Sequence, residues 1–355
     1  MRTPRNVFVV GAGASKEAGL PSGAELIDLI REKLGFRQRA DGQLIPESGD
    51  ADILDIFQQR ESTSEGFNNY LTAAARIRDG LLYSKSIDSF LDLHRDDPYI
   101  QLAGKLAIGK VILAEEQESR LFVNRDSSKF DESREFRSSW YFELAKNLVD
   151  GVKKAEIERI FSNIAFVVFN YDRCLEHFLF NALQMTYGID KGRAAEVLST
   201  LNIVHPYGTI GDLEWRDPAK GVPFGHPANR AIMEQLSGRI RTYNEQVADR
   251  TILEDVKRLV ASADTIVFLG FSYHSENMQL LSPSVPGALE RVFGTAKGIS
   301  GPDIVVVQEQ IRKLAAGKPL HPTGRPRDAE QVYLSDCSCG QFLRDFSRSL
   351  FVSGR

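Results

Sequence analysis

The chain has 355 residues, 42% of them apolar, which is material for one large domain with insertions or for two domains around a substantial core. A formal charge of -4 excludes a general basic footprint, so direct sequence-specific binding to nucleic acid is not expected. The three cysteines, Cys174, Cys337 and Cys339, argue against a disulfide framework; with no apolar run of membrane-spanning length and no secretion-signal core at the amino terminus, a cytoplasmic, reducing location with no membrane span is expected.

The first element is the apolar run Val7-Phe8-Val9-Val10, which reads as a buried parallel strand. Gly11-Ala12-Gly13-Ala14-Ser15 follows, small enough for the backbone to approach a nucleotide phosphate, although such turns also serve simply to pack a helix on a sheet. No Gly-Lys-Ser/Thr follows, so a triphosphate-binding loop is disfavoured. After Gly19-Leu20-Pro21, Ser22 and Glu25 form a capping box for a helix that puts Leu26, Ile27, Ile30 and Leu34 on one face. Strand, glycine turn and helix together make the opening unit of a dinucleotide-binding fold.

From Phe36 to Phe67 the chain is polar and rich in turn formers, a poor candidate for sheet, with a short helix expected around Ile53 to Gln58. Helical patterning then runs to about Val149, interrupted by a charged interval, Glu115 to Arg137, that reads as a solvated loop or flap. Residues 36–159 are therefore expected to form a mostly helical insertion into a domain made of residues 1–35 and 160–355.

Strands are next expected at Ile164–Phe169 and Leu201–Val204, followed by a helix from about Asn229 to Glu245 and another carrying Ile252, Leu253, Val256, Leu259 and Val260. Strands at Thr265–Leu269, Ile304–Val307 and Val332–Leu334 and a closing helix through Phe342 to Leu350 complete the pattern. Alternation of strand and helix implies an α/β fold, a Rossmann-like doubly wound parallel sheet with an inserted helical subdomain. Four strand ends carry polar or glycine residues: Gly11 to Ser15, Asn170 to Asp172, His205 to Gly208, and Gly270 to Ser272. Each has a plain alternative, since Asp172 can cap a helix, Asn170 can close a turn, His205 can be a hydrogen-bonded structural histidine and Gly270 can be a simple strand-to-helix turn. Their shared position is what points to a ligand, because doubly wound sheets bind beyond the carboxyl ends of their strands.

These motifs, in this order, resemble a sirtuin-type NAD-binding domain: the Gly-Ala-Gly-Ala-Ser turn with Gly19-x-Pro21, Asn170-x-Asp172, the histidine-glycine motif His205-Pro206-Tyr207-Gly208, and Gly270-Phe271-Ser272. The resemblance is strongest to the sirtuin-like domains of bacterial antiphage proteins. Two departures separate the chain from protein deacylases. The two Cys-x-x-Cys pairs of their zinc module are missing, so no metal is expected. Phe169 stands where Gln is usual before Asn-x-Asp, and no Phe-Arg follows Pro21.

What the resemblance implies is an NAD hydrolase that breaks the nicotinamide ribosyl bond to give nicotinamide and ADP-ribose. Asp172 would bind the carboxamide, Asn170 would position the ribose or the attacking water, and His205 would serve as general base. Gly11, Ala12, Gly13 and Ser15, with Pro21 nearby, would cradle the pyrophosphate, with Gly270 and Ser272 on its other side. Gln308, at the end of an expected strand, and His274 and Asn277, after the Gly-Phe-Ser turn, are candidates for the adenosine side, although His274 and Asn277 can equally cap a helix. Family habit adds a homo-oligomer and, as trigger, a HerA-type translocase ATPase or a short Argonaute. Two other readings stay open: a zinc-free NAD-dependent deacylase or ADP-ribosyltransferase, and a noncatalytic subunit that binds NAD or ADP-ribose.

Overall fold

The computed structural model describes residues 6–38, 44–46, 49–123, 130–242, 245, 250–283, 289–314 and 331–352. Its centre is a six-stranded, all-parallel sheet of β1 (Asn6–Val10), β4 (Ile164–Val168), β5 (Asn202–Val204), β6 (Thr265–Leu269), β7 (Arg291–Thr295) and β8 (Gln331–Ser335), in the order β5-β4-β1-β6-β7-β8. Counting only these strands, the order is 3-2-1-4-5-6, that of dinucleotide-binding doubly wound folds, and the order in which strands are added reverses between β1 and β6. β1 pairs with β4 on one side and with β6 on the other along its whole length, from Asn6 to Val10.

The central strands read as continuous apolar runs because both of their faces are covered. Val7 and Val9 of β1 join the core beneath the helices Ala51–Arg60, Ser64–Gly80, Pro98–Glu118 and Arg250–Ser262, whereas Phe8 and Val10 join the opposite core with Trp140–Val149, Cys174–Tyr187 and Cys339–Ser347. Residues 36–159 thus contribute helices to both faces of the sheet. No helix among the described residues is long and apolar enough to cross a membrane.

The opening unit forms as expected. Ser22 caps the helix Gly23–Lys33, its side chain accepting from the Glu25 amide while the Glu25 carboxylate accepts from the Ser22 amide at 2.7 Å. Elsewhere the architecture corrects the sequence reading. A small antiparallel hairpin, β2 (Phe36–Gln38) with β3 (Leu44–Pro46), occupies a segment expected to hold no sheet. Asp41-Gly42, read as a loop former, is also a hairpin signal, and it lies outside the described residues.

The strand expected at Ile304–Val307 is instead part of the helix Gly301–Leu314, which buries Val307, Ile311 and Leu314 at helical spacing and leaves Val305 and Val306 in solvent. Ser300 accepts from the Asp303 amide at its start. The strand in that part of the sheet is β7, whose sequence Arg-Val-Phe-Gly-Thr hides it behind a charge and a glycine. Gln308 therefore sits on a helix and not at a strand end. The helix expected from Asn229 to Glu245 starts as anticipated, with Asn229 accepting from the Ile232 amide, but ends at Ser237. Nor is Glu115 to Arg137 all solvated loop: its first four residues finish the helix Pro98–Glu118, and Glu116 is completely buried. Residues 124–129 of that interval lie outside the described part.

Candidate functional site

At the reversal point, the turns after β1 and β6 are pressed together. The Gly11 amide donates to the Leu269 carbonyl and the Gly13 amide to the Gly270 carbonyl, both at 2.9 Å. A methyl group at Gly11 would lie 2.6 Å from the Gly270 oxygen, and one at Gly13 would lie 2.8 Å from it. Gly270 has φ +57, and a side chain there would collide with the Ala14 amide nitrogen. The glycines are thus accounted for by backbone meeting backbone, and the Gly11 and Gly13 amides expected to hold pyrophosphate are spent on the neighbouring turn. Gly270→Ala is expected to cost about 2–4 kcal/mol, combining left-handed backbone strain with overpacking, as read from urea unfolding.

Over these turns lies a cavity of about 850 Å³, within the range of small-molecule and cofactor sites. Gly11, Ala12 and Gly13 line it, with Asn170, Gly270 and Ser272. Phe169 and Phe271 belong to its wall and meet with ring centroids 5.1 Å apart; Tyr207 packs on Phe169 at 5.8 Å. The Tyr207 hydroxyl donates to Asn277 at 2.6 Å, which fixes a second amide on the wall. Just after the turn Tyr273 holds φ +56, uncommon for a bulky residue, and donates from its hydroxyl to the Thr295 carbonyl at 3.0 Å. Five cationic side chains also line the cavity. Lys16 pairs with Glu25 and Arg120 with Glu135, and Arg344 donates to the Ser138 carbonyl. Among the described residues Lys85 and Lys297 have no ion-pair partner, which leaves two positive charges for an anionic ligand.

Asn170 is braced from below. Its amide nitrogen donates to Ser15 Oγ at 2.8 Å, and the Ser15 hydroxyl donates to Asp172 Oδ2, also at 2.8 Å. The other Asp172 oxygen accepts from the Cys174 amide at 3.1 Å, so the residue, one position before the N-cap Arg173, satisfies the first amide of the helix Cys174–Tyr187 and anchors the relay at once. Burial pushes the Asp172 carboxyl above its ordinary value, against the hydrogen bond from Ser15. Ser15 and Asp172 lie beneath the wall and do not line the cavity, and neither does Pro21.

His205 lies on the far side of Asn170. Its Nδ1 is 3.1 Å from the Asn170 carbonyl oxygen and its Nε2 is 2.8 Å from Glu176 Oε1, so both ring nitrogens are engaged. Burial by itself would lower the His205 pKa, but the Glu176 carboxylate and the Asn170 carbonyl outweigh it and the pKa is raised. The histidine lines a separate, smaller cavity and not the one above Gly11.

The large cavity contains an acid that the sequence did not reveal. Asp88, at the start of the helix Ile87–Leu93, accepts a hydrogen bond from the Tyr171 hydroxyl. Burial, with the Glu276 carboxylate adding to it and Tyr171 opposing, pushes its pKa up to about 6. A half-buried carboxyl poised near neutrality in a cleft is a candidate catalytic group. His274 shares the wall, with a pKa lowered by burial and by Lys85. Glu17 ties the site to the rest of the fold, accepting from the Trp140 amide at 2.7 Å and the Gly340 amide at 3.0 Å, while the Trp140 indole donates to the Ala14 carbonyl at 2.9 Å. No group of three His, Cys, Asp or Glu among the described residues is arranged to hold a metal.

No family model matches the chain, and no curated protein sequence matches it significantly.

Proposed function

We propose that the chain hydrolyses NAD at the nicotinamide ribosyl bond. The observation that carries this reading is the cavity at the switch point of a 3-2-1-4-5-6 sheet, with Asn170 held on its wall by the Ser15–Asp172 relay. Its volume, its aromatic wall and two lysines with no ion-pair partner among the described residues suit a dinucleotide. In the reaction the ribosyl C1′–N bond breaks, nicotinamide leaves with the bonding electrons, and the cationic sugar takes up water. Asn170 orients the ribose, and the Asp88 carboxylate faces the developing positive charge and accepts the proton of the attacking water. The motif resemblance extends the proposal to depletion of NAD in an infected cell by an oligomer that a translocase ATPase or short Argonaute partner sets off.

Nicotinamide release by the purified chain, alone and with the product of the neighbouring gene, tests this. Asn170→Ala is expected to slow release by about a hundredfold or more. Release that survives the substitution would overturn the site. One observation favours a second reading, a noncatalytic NAD or ADP-ribose binding subunit: His205, the expected base, is turned away from the cavity. Retained NAD binding with no release under any of these conditions would support it, and faster turnover of an acyl-lysine peptide than of NAD would instead favour a zinc-free deacylase.

A further inference from the structure

Behind Asn170, beyond the carboxyl end of β5, lies a second cavity of about 240 Å³ that the NAD reading does not use. Three features of its wall are unexplained by the fold. Glu176 binds His205 through Oε1, but its Oε2 is buried with no donor among the described residues, on a side chain only 8% exposed. The Trp215 indole, stacked on Phe180 at 5.1 Å, has a buried Nε1 with no acceptor among the described residues. At the mouth, Arg216 and Arg239 share the single carboxylate of Asp212, at 3.6 and 3.2 Å, and remain half exposed. Burial would raise the Glu176 pKa, yet His205 holds it below its ordinary value, so Oε2 is a carboxylate oxygen that calls for a donor.

The wall therefore offers an acceptor at its base, an indole donor beside it and two half-neutralised guanidiniums at its rim. A simple anion would answer the guanidiniums and the indole and leave Glu176 unmet. A plain sugar would answer Glu176 and leave the guanidiniums unmet. We propose that this cavity binds a phosphorylated pentose, with a hydroxyl donating to Glu176 Oε2 and the phosphate held by Trp215 Nε1, Arg216 and Arg239. The volume admits a pentose phosphate and excludes a dinucleotide. The ligand is a free sugar phosphate or the ribose phosphate end of a mononucleotide whose base projects outward. Because His205 bonds both Glu176 and the Asn170 carbonyl, the occupant shares one wall with the large cavity. The assignment does not depend on NAD being hydrolysed.

The test is calorimetric titration of the purified full-length chain with ribose 5-phosphate, adenosine 5′-monophosphate, ribose and inorganic phosphate. Saturable binding of ribose 5-phosphate is expected, much tighter than that of ribose or phosphate alone. If the mononucleotide binds as well, the base is accommodated outside; if it does not, the ligand is the free sugar phosphate. Trp215→Phe keeps the stack and removes the donor, and Arg216→Ala with Arg239→Ala removes exposed charge; each is expected to weaken binding about tenfold or more. Arg193→Ala, an exposed arginine paired with Glu158, controls for loss of charge alone and is expected to change nothing. No binding of either phosphorylated sugar, inorganic phosphate binding as tightly as ribose 5-phosphate, or affinity untouched by the Trp215 and arginine variants would each overturn the proposal.

Discussion

Asp88→Asn is expected to lower nicotinamide release by about a hundredfold to ten-thousandfold, the usual range for loss of a general base, while making the protein more stable at pH 8. The stability sign follows from the raised pKa. The Asp88 carboxyl is pushed up to about 6 in the fold from its ordinary 3.8 in the unfolded chain, so the native state binds the proton more tightly. Native stability therefore falls as pH rises from about 4 to about 6, and above that the half-buried carboxylate costs the fold about 3 kcal/mol at most. Asparagine carries no charge and its amide oxygen still accepts from Tyr171, so the variant escapes this cost. The groups that set the titration are Tyr171, which donates to Asp88, and Glu276, which opposes its ionisation; Lys85 and His274 share the cavity wall. Wild-type activity should rise with pH through about 6 as the carboxylate forms. Urea melts at pH 5 and pH 8, paired with rates at both, check this: a variant that is active, or one that is no more stable than wild type at pH 8, removes Asp88 from the role of a strained, functional acid.

The central strands were readable because burial on both faces leaves unbroken apolar runs, Val7–Val10, Ile164–Val168 and Ile266–Leu269, in β1, β4 and β6. Where composition is mixed, that signal fails. β7 carries Arg291, which donates to Thr265 Oγ1 and the Ser349 carbonyl, and Gly294, while the apolar run Ile304–Val307 is one side of a helix plus two exposed valines. Periodicity extended to Ile311 and Leu314 distinguishes the two, and a four-residue window does not. For the site, Gly11, Gly13, Asn170 and Gly270 were legible as strand ends, and the sheet order brings all four to one crevice. Asp88 was not legible, since an acid in the first turn of a helix is ordinary and only Tyr171, distant in sequence, marks it out. The orientation of His205 was equally hidden: Glu176, 29 residues earlier on the helix Cys174–Tyr187, competes for the ring.

Glu116→Ala is expected to cost about 3–5 kcal/mol of stability, the penalty for stranding one charge of a buried pair. Glu116 is fully buried and Arg173 is 1% exposed. The guanidinium meets the carboxylate twice, Nη2 to Oε2 at 2.5 Å and Nε to Oε1 at 3.1 Å, and the Arg173 and Gly225 amides add hydrogen bonds at 3.3 and 3.1 Å. Burial pushes the Glu116 carboxyl upward against these partners. The remaining Arg173 donor, Nη1, reaches the Val222 carbonyl at 2.6 Å, so the pair joins the end of the helix Pro98–Glu118 to the turn after β4 and to the loop that walls the smaller cavity. Removing the carboxylate leaves an arginine that cannot lose its proton facing carbonyls alone. Glu116→Leu combined with Arg173→Met removes both charges and is expected to recover most of the stability. It does not restore the link to Val222, and Arg173 directly follows Asp172, which anchors Asn170 through Ser15. The double variant should therefore fold but release nicotinamide more slowly than wild type, and equal rates in the two proteins would show that the clasp serves the fold and not the site.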